Sequence, residues 1–297
     1  MILIVGATGS LGGAITHALL ARKTPVRILV RQASSTEAHG GSVQELIAAG
    51  AQPVYGDLKN RGSLDVACEG TETVITTANS ALRGGADNPQ TVDLEGNRNL
   101  IDAATAAGVK HFIFVSAQIA DPNSPTPFLS AKGKTEQYLQ ACGLSYTIIA
   151  PAAFMEVWIG LVVGMPALGN RPVTIVGSGE RKHTFITAGD VAQFAVACVG
   201  NPKAMNRKLI VGGPQPVSFR DAARTFGRIV GREIAVQSVH PGEPISGLPQ
   251  SMVEMLAGFD VADSVLDSTA LASQFGVTLT TLEEFAARLT QESAATQ

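Results

Sequence analysis

The chain has 297 residues, 45% of them apolar and 16% charged, enough to bury a sizeable core in one large domain or two modest ones. Its net charge of −3 argues against a general nucleic-acid binder, which presents a basic face. Cys68, Cys142 and Cys198 form no CxxC pair and the histidines lack ligand spacing, so no metal centre is expected, and buried thiols in a reducing cytoplasm are.

Residues 2–5, Ile-Leu-Ile-Val, read as a strand buried on both faces. The stretch GATGSLGG follows, with Gly6, Gly9 and Gly12 three apart, and Leu11, Ile15, Ala18 and Leu19 then recur at helical spacing. A strand, a glycine turn and a helix form the context of a dinucleotide fingerprint. Gly6 permits the tight turn, Gly9 lets a pyrophosphate approach the backbone, and Gly12 lets the helix pack against the sheet. The amide end of the helix then faces the phosphates. The bland alternative is a strand–helix turn that holds no ligand.

Further strands are expected at 25–30, 52–55, 73–77, 110–116 and 145–149, and helices at 42–49, 63–68, 93–107 and 131–142. This alternation implies an α/β fold, a Rossmann-type doubly wound parallel sheet with right-handed crossovers. Residues 1–150 are read as the NAD(P)-binding domain. Residues 151–297 are read as a smaller α/β substrate lobe that is not independent. There, helices are expected at 187–199, with Asp190 in the first turn, and at 218–230, capped by Ser218 with Asp221 three residues on. Residues 208–211 are expected to add a last strand to the sheet. Gly177-Ser178-Gly179 reads as a mobile turn. Thr281 and Glu284 form a capping box for a final helix ending near Leu289, with a frayed tail at 292–297. No charged leader precedes an apolar run, and the greasy stretch 150–168 is interrupted by Pro151, Glu156 and Pro166, so neither a signal peptide nor a membrane span is expected.

The second strand ends Leu29-Val30-Arg31-Gln32, with no acid to meet the 2′-hydroxyl of NAD. A guanidinium there suits a 2′-phosphate, so NADP(H) is preferred over NAD(H). The alternative leaves Arg31 as a solvated surface charge. Asp57, after the third strand, either accepts from the adenine amino group or caps the next turn.

The segments 4–12, 29–31, 56–58, 108–116, 132–136, 150–156, 183–192 and 281–285 together resemble the atypical short-chain dehydrogenase/reductase proteins of the NmrA-like type. That family includes NADPH-dependent quinone reductases, triphenylmethane-dye reductases, isoflavone-reductase-like enzymes and redox-sensing regulators. The resemblance implies that Thr8, Ser10 and Leu11 contact phosphates and Arg31 takes the 2′-phosphate. It implies that Asp57 and Leu58 frame the adenine and that Thr77 and Ala78 line the cofactor. Lys132 would hold the nicotinamide ribose, and Pro151 and Phe154 would bound the nicotinamide.

The wider superfamily places a proton-donating tyrosine four residues before the lysine, whose charge lowers its pKa. Here that residue is Phe128, which transfers no proton. Ser116 and Lys132 are then the catalytic candidates, since a lysine at this position is linked to proton transfer in isoflavone-reductase-like enzymes. Water is the other proton source, and Lys132 acting on the ribose alone is the plainer reading. Phe154, Met155, Trp158 and Ile159 suit a flat apolar acceptor, or else are simply core. Asn79 and Gln118 add polar contacts from strand ends.

Two functions follow. One is an NADPH-dependent reductase of an apolar, electron-poor small molecule such as a quinone, dye or conjugated carbonyl. The other is an NADP(H) sensor that regulates a protein partner and turns nothing over. A cytoplasmic monomer or homodimer is expected in either case.

Overall fold

The computed structural model describes residues 1–31, 42–81 and 83–295. Gln32, at the expected end of the second strand, and the last two residues of the expected tail lie outside the described residues. The chain forms two compact units. The first comprises Met1–Pro151, Val191–Ile210 and Phe275–Val277, and the second comprises Ala152–Asp190, Val211–Gln274 and Thr278–Gln297.

In chain order the first stretch contains β1 (Ile2–Val5), α1 (Ser10–Ala21), β2 (Val26–Val30), α2 (Val43–Ala48), β3 (Gln52–Tyr55), α3 (Arg61–Cys68) and β4 (Thr73–Thr76). A π-helical stretch, Pro89–Gly96, leads into α4 (Asn97–Ala106), followed by β5 (His111–Val115), α5 (Pro127–Ala141) and β6 (Tyr146–Pro151). The residues of β1, β4 and β5 are all buried, which is why, His111 at the start of β5 apart, their sequences are runs of apolar residues and threonine rather than apolar–polar alternation. The sheet runs β10-β6-β5-β4-β1-β2-β3, where β10 is Arg207–Val211. The pairs β1–β2, β2–β3, β1–β4, β4–β5 and β5–β6 are parallel. The chain therefore winds outward from β1 to β3, then returns to the other side of β1 with β4. That reversal makes a switch point at the carboxyl ends of β1 and β4, where ligands of such sheets bind.

The helix expected at 93–107 starts earlier. Asn88 accepts hydrogen bonds from the amides of Gln90 and Thr91, and Pro89 opens the wide-turned segment before α4. Likewise α5 starts at Pro127 rather than 131, because proline at the first helical position costs no hydrogen bond.

The second stretch contains β7 (Ala153–Phe154), a π-helical segment Glu156–Gly164, α6 (Met165–Leu168), β8 (Val173–Val176), β9 (His183–Ile186) and α7 (Ala188–Cys198). After β10 come β11 (Pro216–Val217), α8 (Phe219–Val230), β12 (Val236–Val239), α9 (Gln250–Phe259), α10 (Thr269–Phe275) and α11 (Leu282–Ala295). In the second unit β9 pairs with β11 and β7, and β8 pairs with β12. Its core gathers Phe185, Phe219 and Phe226 with Met155 and Ile159. Ser218 and Asp221 form the expected capping box on α8. The final helix continues past Leu289 to Ala295, so the tail from 292 is helical over its described residues. Gly177-Ser178-Gly179 is pinned rather than loose: the Ser178 amide and hydroxyl donate to Asp260 Oδ1 at 2.9 and 2.7 Å. Cys68 and Cys198 are buried and Cys142 is half-buried. Among the described residues no helix is long and apolar enough to cross a membrane.

His111, at the start of β5, is 1% exposed. Its Nε2 lies 2.8 Å from Thr147 Oγ1, and that hydroxyl donates to the Ala204 carbonyl at 2.8 Å. Burial pushes the imidazole down from 6.5 to about 4. Its contribution to stability is therefore complete above about pH 6.5, fades as the pH falls to about 4, and changes no further below that. The loss amounts to about 3 kcal/mol. Melting temperature against pH should show this decline in the natural chain, and a His111→Gln variant should lack that part of it.

Candidate functional site

At the switch point, β1 runs into the glycine turn. Gly6 has φ +91°, a conformation that favours glycine. A Cβ on Gly12 would lie 2.1 Å from the Gly6 carbonyl oxygen and 2.9 Å from Thr77 Oγ1, so only glycine lets α1 come this close. Gly9 is different. It has ordinary extended backbone, and a Cβ there would meet only the Gly6 oxygen at 3.4 Å. The protein's own packing does not demand glycine at that position. The N-cap residue, Gly9, has no side chain with which to cap α1, and no acid stands in the first turn. An amide end left this way, beside a position kept clear of a Cβ, fits an approaching pyrophosphate. Thr8 and Leu11 are half-buried here and Ser10 is exposed.

Thr77 sits directly under the turn, its hydroxyl 3.3 Å from the Gly6 carbonyl. Ala78 is half-buried beside it. Asn79 is exposed, but its side chain closes a local turn, donating to the Thr77 carbonyl at 3.2 Å and accepting from the Ala81 amide at 2.9 Å. Asp57 Oδ1 accepts the Lys59 amide at 2.8 Å, the turn-capping alternative open in the sequence. Leu58 is buried against Gly96. Arg31 is exposed and its guanidinium pairs with Asp87 at 2.7 Å.

Around the ends of β4 and β5 lies a buried polar cluster. Lys132 on α5 is 2% exposed, and its Nζ donates to the Val115 carbonyl at 3.1 Å. Asp93 Oδ1 stands 3.5 Å from that Nζ, while Asp93 Oδ2 accepts from the Ser80 amide and hydroxyl at 3.0 and 2.6 Å. The rings of Phe114 and Phe128 lie 4.8 and 5.6 Å from the ammonium. Burial pulls the Lys132 pKa below the usual lysine value, and Asp93 opposes that pull. One helical turn on, Glu136 accepts from Ser116 Oγ at 2.5 Å and from Lys208 Nζ at 2.7 Å. Tyr138 faces elsewhere, donating to Asp102 at 2.6 Å. Gln118 is half-buried, and its backbone amide donates to the carbonyl of Pro151, the buried last residue of β6.

In the second unit the four apolar candidates divide. Met155 is 1% and Ile159 0% exposed, both within the core. Phe154 and Trp158 are half-buried, with the Trp158 ring 4.9 Å from that of Phe259. Glu156 caps α7, accepting the Ala188 amide at 2.9 Å, and burial raises its carboxyl pKa.

Sequence reasoning missed Asp93, Glu136, Lys208 and Asp87 as partners of the expected residues. Asp93 carried one signal, an acid between Val92 and Leu94 in an apolar, helical stretch.

The NmrA-like family model matches residues 1–286. An NAD(P)H azoreductase from Xenophilus azovorans is 29% identical over 272 residues, 92% of this chain and 87% of that protein. The photosystem II assembly factor Ycf39 of Trieres chinensis is 30% identical over 240 residues, 80% of this chain and 72% of that protein. Among solved structures, the NADPH-dependent quinone oxidoreductase QOR2 of Escherichia coli complexed with NADPH has the same fold, with a TM-score of 0.80. It is 24% identical, covering 97% of this chain and 99% of that one.

Proposed function

The chain belongs to the NmrA-like family, and from that premise we propose that it is an NADPH-dependent reductase of flat, apolar, electron-poor acceptors such as quinones, dyes or conjugated carbonyls. The observation that carries this reading is the glycine turn at the switch point, where Gly12 is demanded by packing and Gly9 is not. The azoreductase likeness, extending over most of both chains, supports the same reading.

When bound, the dinucleotide supplies the hydride. The chain's own residues bind and orient it. Thr8, Ser10 and Leu11 hold the pyrophosphate at the amide end of α1. Arg31 meets the 2′-phosphate, Asp57 and Leu58 frame the adenine, and Thr77 and Ala78 line the turn. Lys132 holds a proton at Nζ in a dry setting. Burial makes that ammonium a better acid than a solvated one, and Asp93 keeps it charged until the proton is needed. Phe128 adds no proton, which suits acceptors whose reduced anion is already stabilised. In the second unit, Phe154 and Trp158 keep aromatic surface for such acceptors.

The second reading is a non-catalytic NADP(H) sensor for a protein partner. Phe128 in the tyrosine position favours it, as does the likeness to a photosystem II assembly factor. The test is NADPH consumption with a panel of quinones, azo dyes and enals. Acceptor-dependent loss of NADPH is expected. Tight NADPH binding with no turnover across the panel would favour the sensor.

A further inference from the structure

Three cations from three separate stretches converge on one carboxylate. Arg31, following β2, places Nη1 2.7 Å from Asp87 Oδ2. Lys59, following β3, places Nζ 2.6 Å from Asp87 Oδ1. Arg83 places Nη1 3.4 Å from Oδ2. The Asp87 side chain is 18% exposed, while Arg31, Lys59 and Arg83 remain 42%, 36% and 46% exposed. Hydrogen bonds from Lys59 and then Arg31 hold the carboxyl at about 2, so it stays ionised at any working pH.

Among the described residues, the cluster sets the one negative charge of Asp87 against the three positive charges of Arg31, Lys59 and Arg83. A phosphate monoester, with close to two negative charges at neutral pH, is a stronger partner for the same three cations than a single carboxylate. The cluster also includes the residue expected to meet the adenosine ribose, Arg31, and lies one residue beyond Leu58, expected at the adenine. We propose that Asp87 is a built-in occupant of a phosphate subsite: Arg31, Lys59 and Arg83 receive the 2′-phosphate of NADP(H), and the carboxylate gives way to it. This rests on the reading of the glycine turn as a dinucleotide site. It adds Lys59 and Arg83 as phosphate ligands and makes Asp87 a specificity-determining residue.

The physical argument is one of exchange. Ion pairs this exposed are individually weak, so releasing the carboxylate costs little. A dianion with three acceptor oxygens offers each cation a stronger partner, and two arginines can bind it in bidentate fashion. Arg31 Nη1, Lys59 Nζ and Arg83 Nη1 are the atoms that hold the carboxylate, so a phosphate that takes these donors competes with Asp87 for them. A dinucleotide without the 2′-phosphate does not compete, so Asp87 keeps its place and the affinity for NAD(H) is set elsewhere.

The experiment titrates the full chain with NADPH and with NADH, read by nicotinamide fluorescence at fixed ionic strength. It compares the natural chain with Asp87→Asn, Lys59→Met and Arg83→Met. Asp87→Asn should bind NADPH roughly five- to tenfold tighter, with NADH changed by less than about twofold. Lys59→Met and Arg83→Met should each weaken NADPH several-fold and leave NADH alone. If Asp87→Asn leaves NADPH affinity unchanged or lowers it, Asp87 is a scaffold for the cations and the exchange is refuted. Equal tightening of both nucleotides would place the effect away from the 2′-phosphate and refute it too. If the folded natural chain binds neither nucleotide, the dinucleotide reading itself fails, and this inference with it.

Discussion

Gly12→Ala should abolish NADPH binding and lower stability by about 3 kcal/mol. The added methyl would sit 2.1 Å from the Gly6 carbonyl oxygen and 2.7 Å from the Gly6 carbonyl carbon, both backbone atoms. Neither can swing aside as a side chain would. Relief requires α1 to lift off the sheet, which opens the turn. The informative contrast is Gly9→Ala. Its methyl meets only the Gly6 oxygen at 3.4 Å, and its backbone is already in a region that alanine adopts. Gly9→Ala should stay within about 1 kcal/mol of the natural stability. It should still weaken NADPH binding, because the methyl fills the space the pyrophosphate needs. Thermal melts and NADPH titrations of the two variants, side by side, separate a folding requirement from a ligand requirement. A Gly9→Ala chain that binds NADPH as well as the natural one would remove the pyrophosphate from this turn.

Replacing Lys132 has the second large effect, and it acts on the fold before it acts on the chemistry. Lys132→Met leaves Asp93, 0% exposed, without its counter-charge. Breaking a buried pair from one side costs about 3–5 kcal/mol. Asp93 Oδ2 would keep its bonds from Ser80, but Oδ1, buried and already without a hydrogen bond, would lose its ion pair with the lysine. Lost turnover in that variant would therefore say little about catalysis. The double variant Asp93→Asn with Lys132→Met removes both charges and should recover most of the stability in a denaturant titration. If the stable double variant still binds NADPH as tightly but has lost turnover, the Lys132 proton is part of the reaction; if it has lost NADPH affinity, the lysine serves the ribose. If it turns over normally, Lys132 is a structural residue. A single variant as stable as the natural chain would show that the pair is not worth its burial.

Much of the fold could be read from local pattern. Runs such as Ile2-Leu3-Ile4-Val5 are apolar because both faces of the sheet are covered, and the glycine spacing fixed where β1 turns into α1. Helix ends were harder. The last turns of α11 are polar, with Gln291 and Glu292, and carry no apolar stripe to reveal them. The onset of the segment before α4 lay in Asn88-Pro89, a cap signal that outweighs the apolar periodicity beginning further on. The candidate site was legible only in part. Ser116, Lys132 and Arg31 were found one by one, but their partners are distant in sequence. Glu136 lies 20 residues from Ser116, Lys208 lies 72 from Glu136, and Asp87 lies 56 from Arg31. Such pairings are set by which strands become neighbours, and no window of sequence contains that information. The division among the apolar residues after Pro151 was hidden for a similar reason. Phe154, Met155, Trp158 and Ile159 have the same apolar character, and only packing decides that Met155 and Ile159 are core.

NADPH held by this chain is expected to give its hydride to an acceptor. The most direct measurement is a single turnover, mixing the NADPH complex with excess quinone or azo dye and following nicotinamide absorbance. The expected result is complete loss of that absorbance in step with reduction of the acceptor, slowed when one of the two hydrogens at nicotinamide C4 is deuterium. Nicotinamide absorbance that persists while NADPH stays tightly bound, with every acceptor tried, would contradict it.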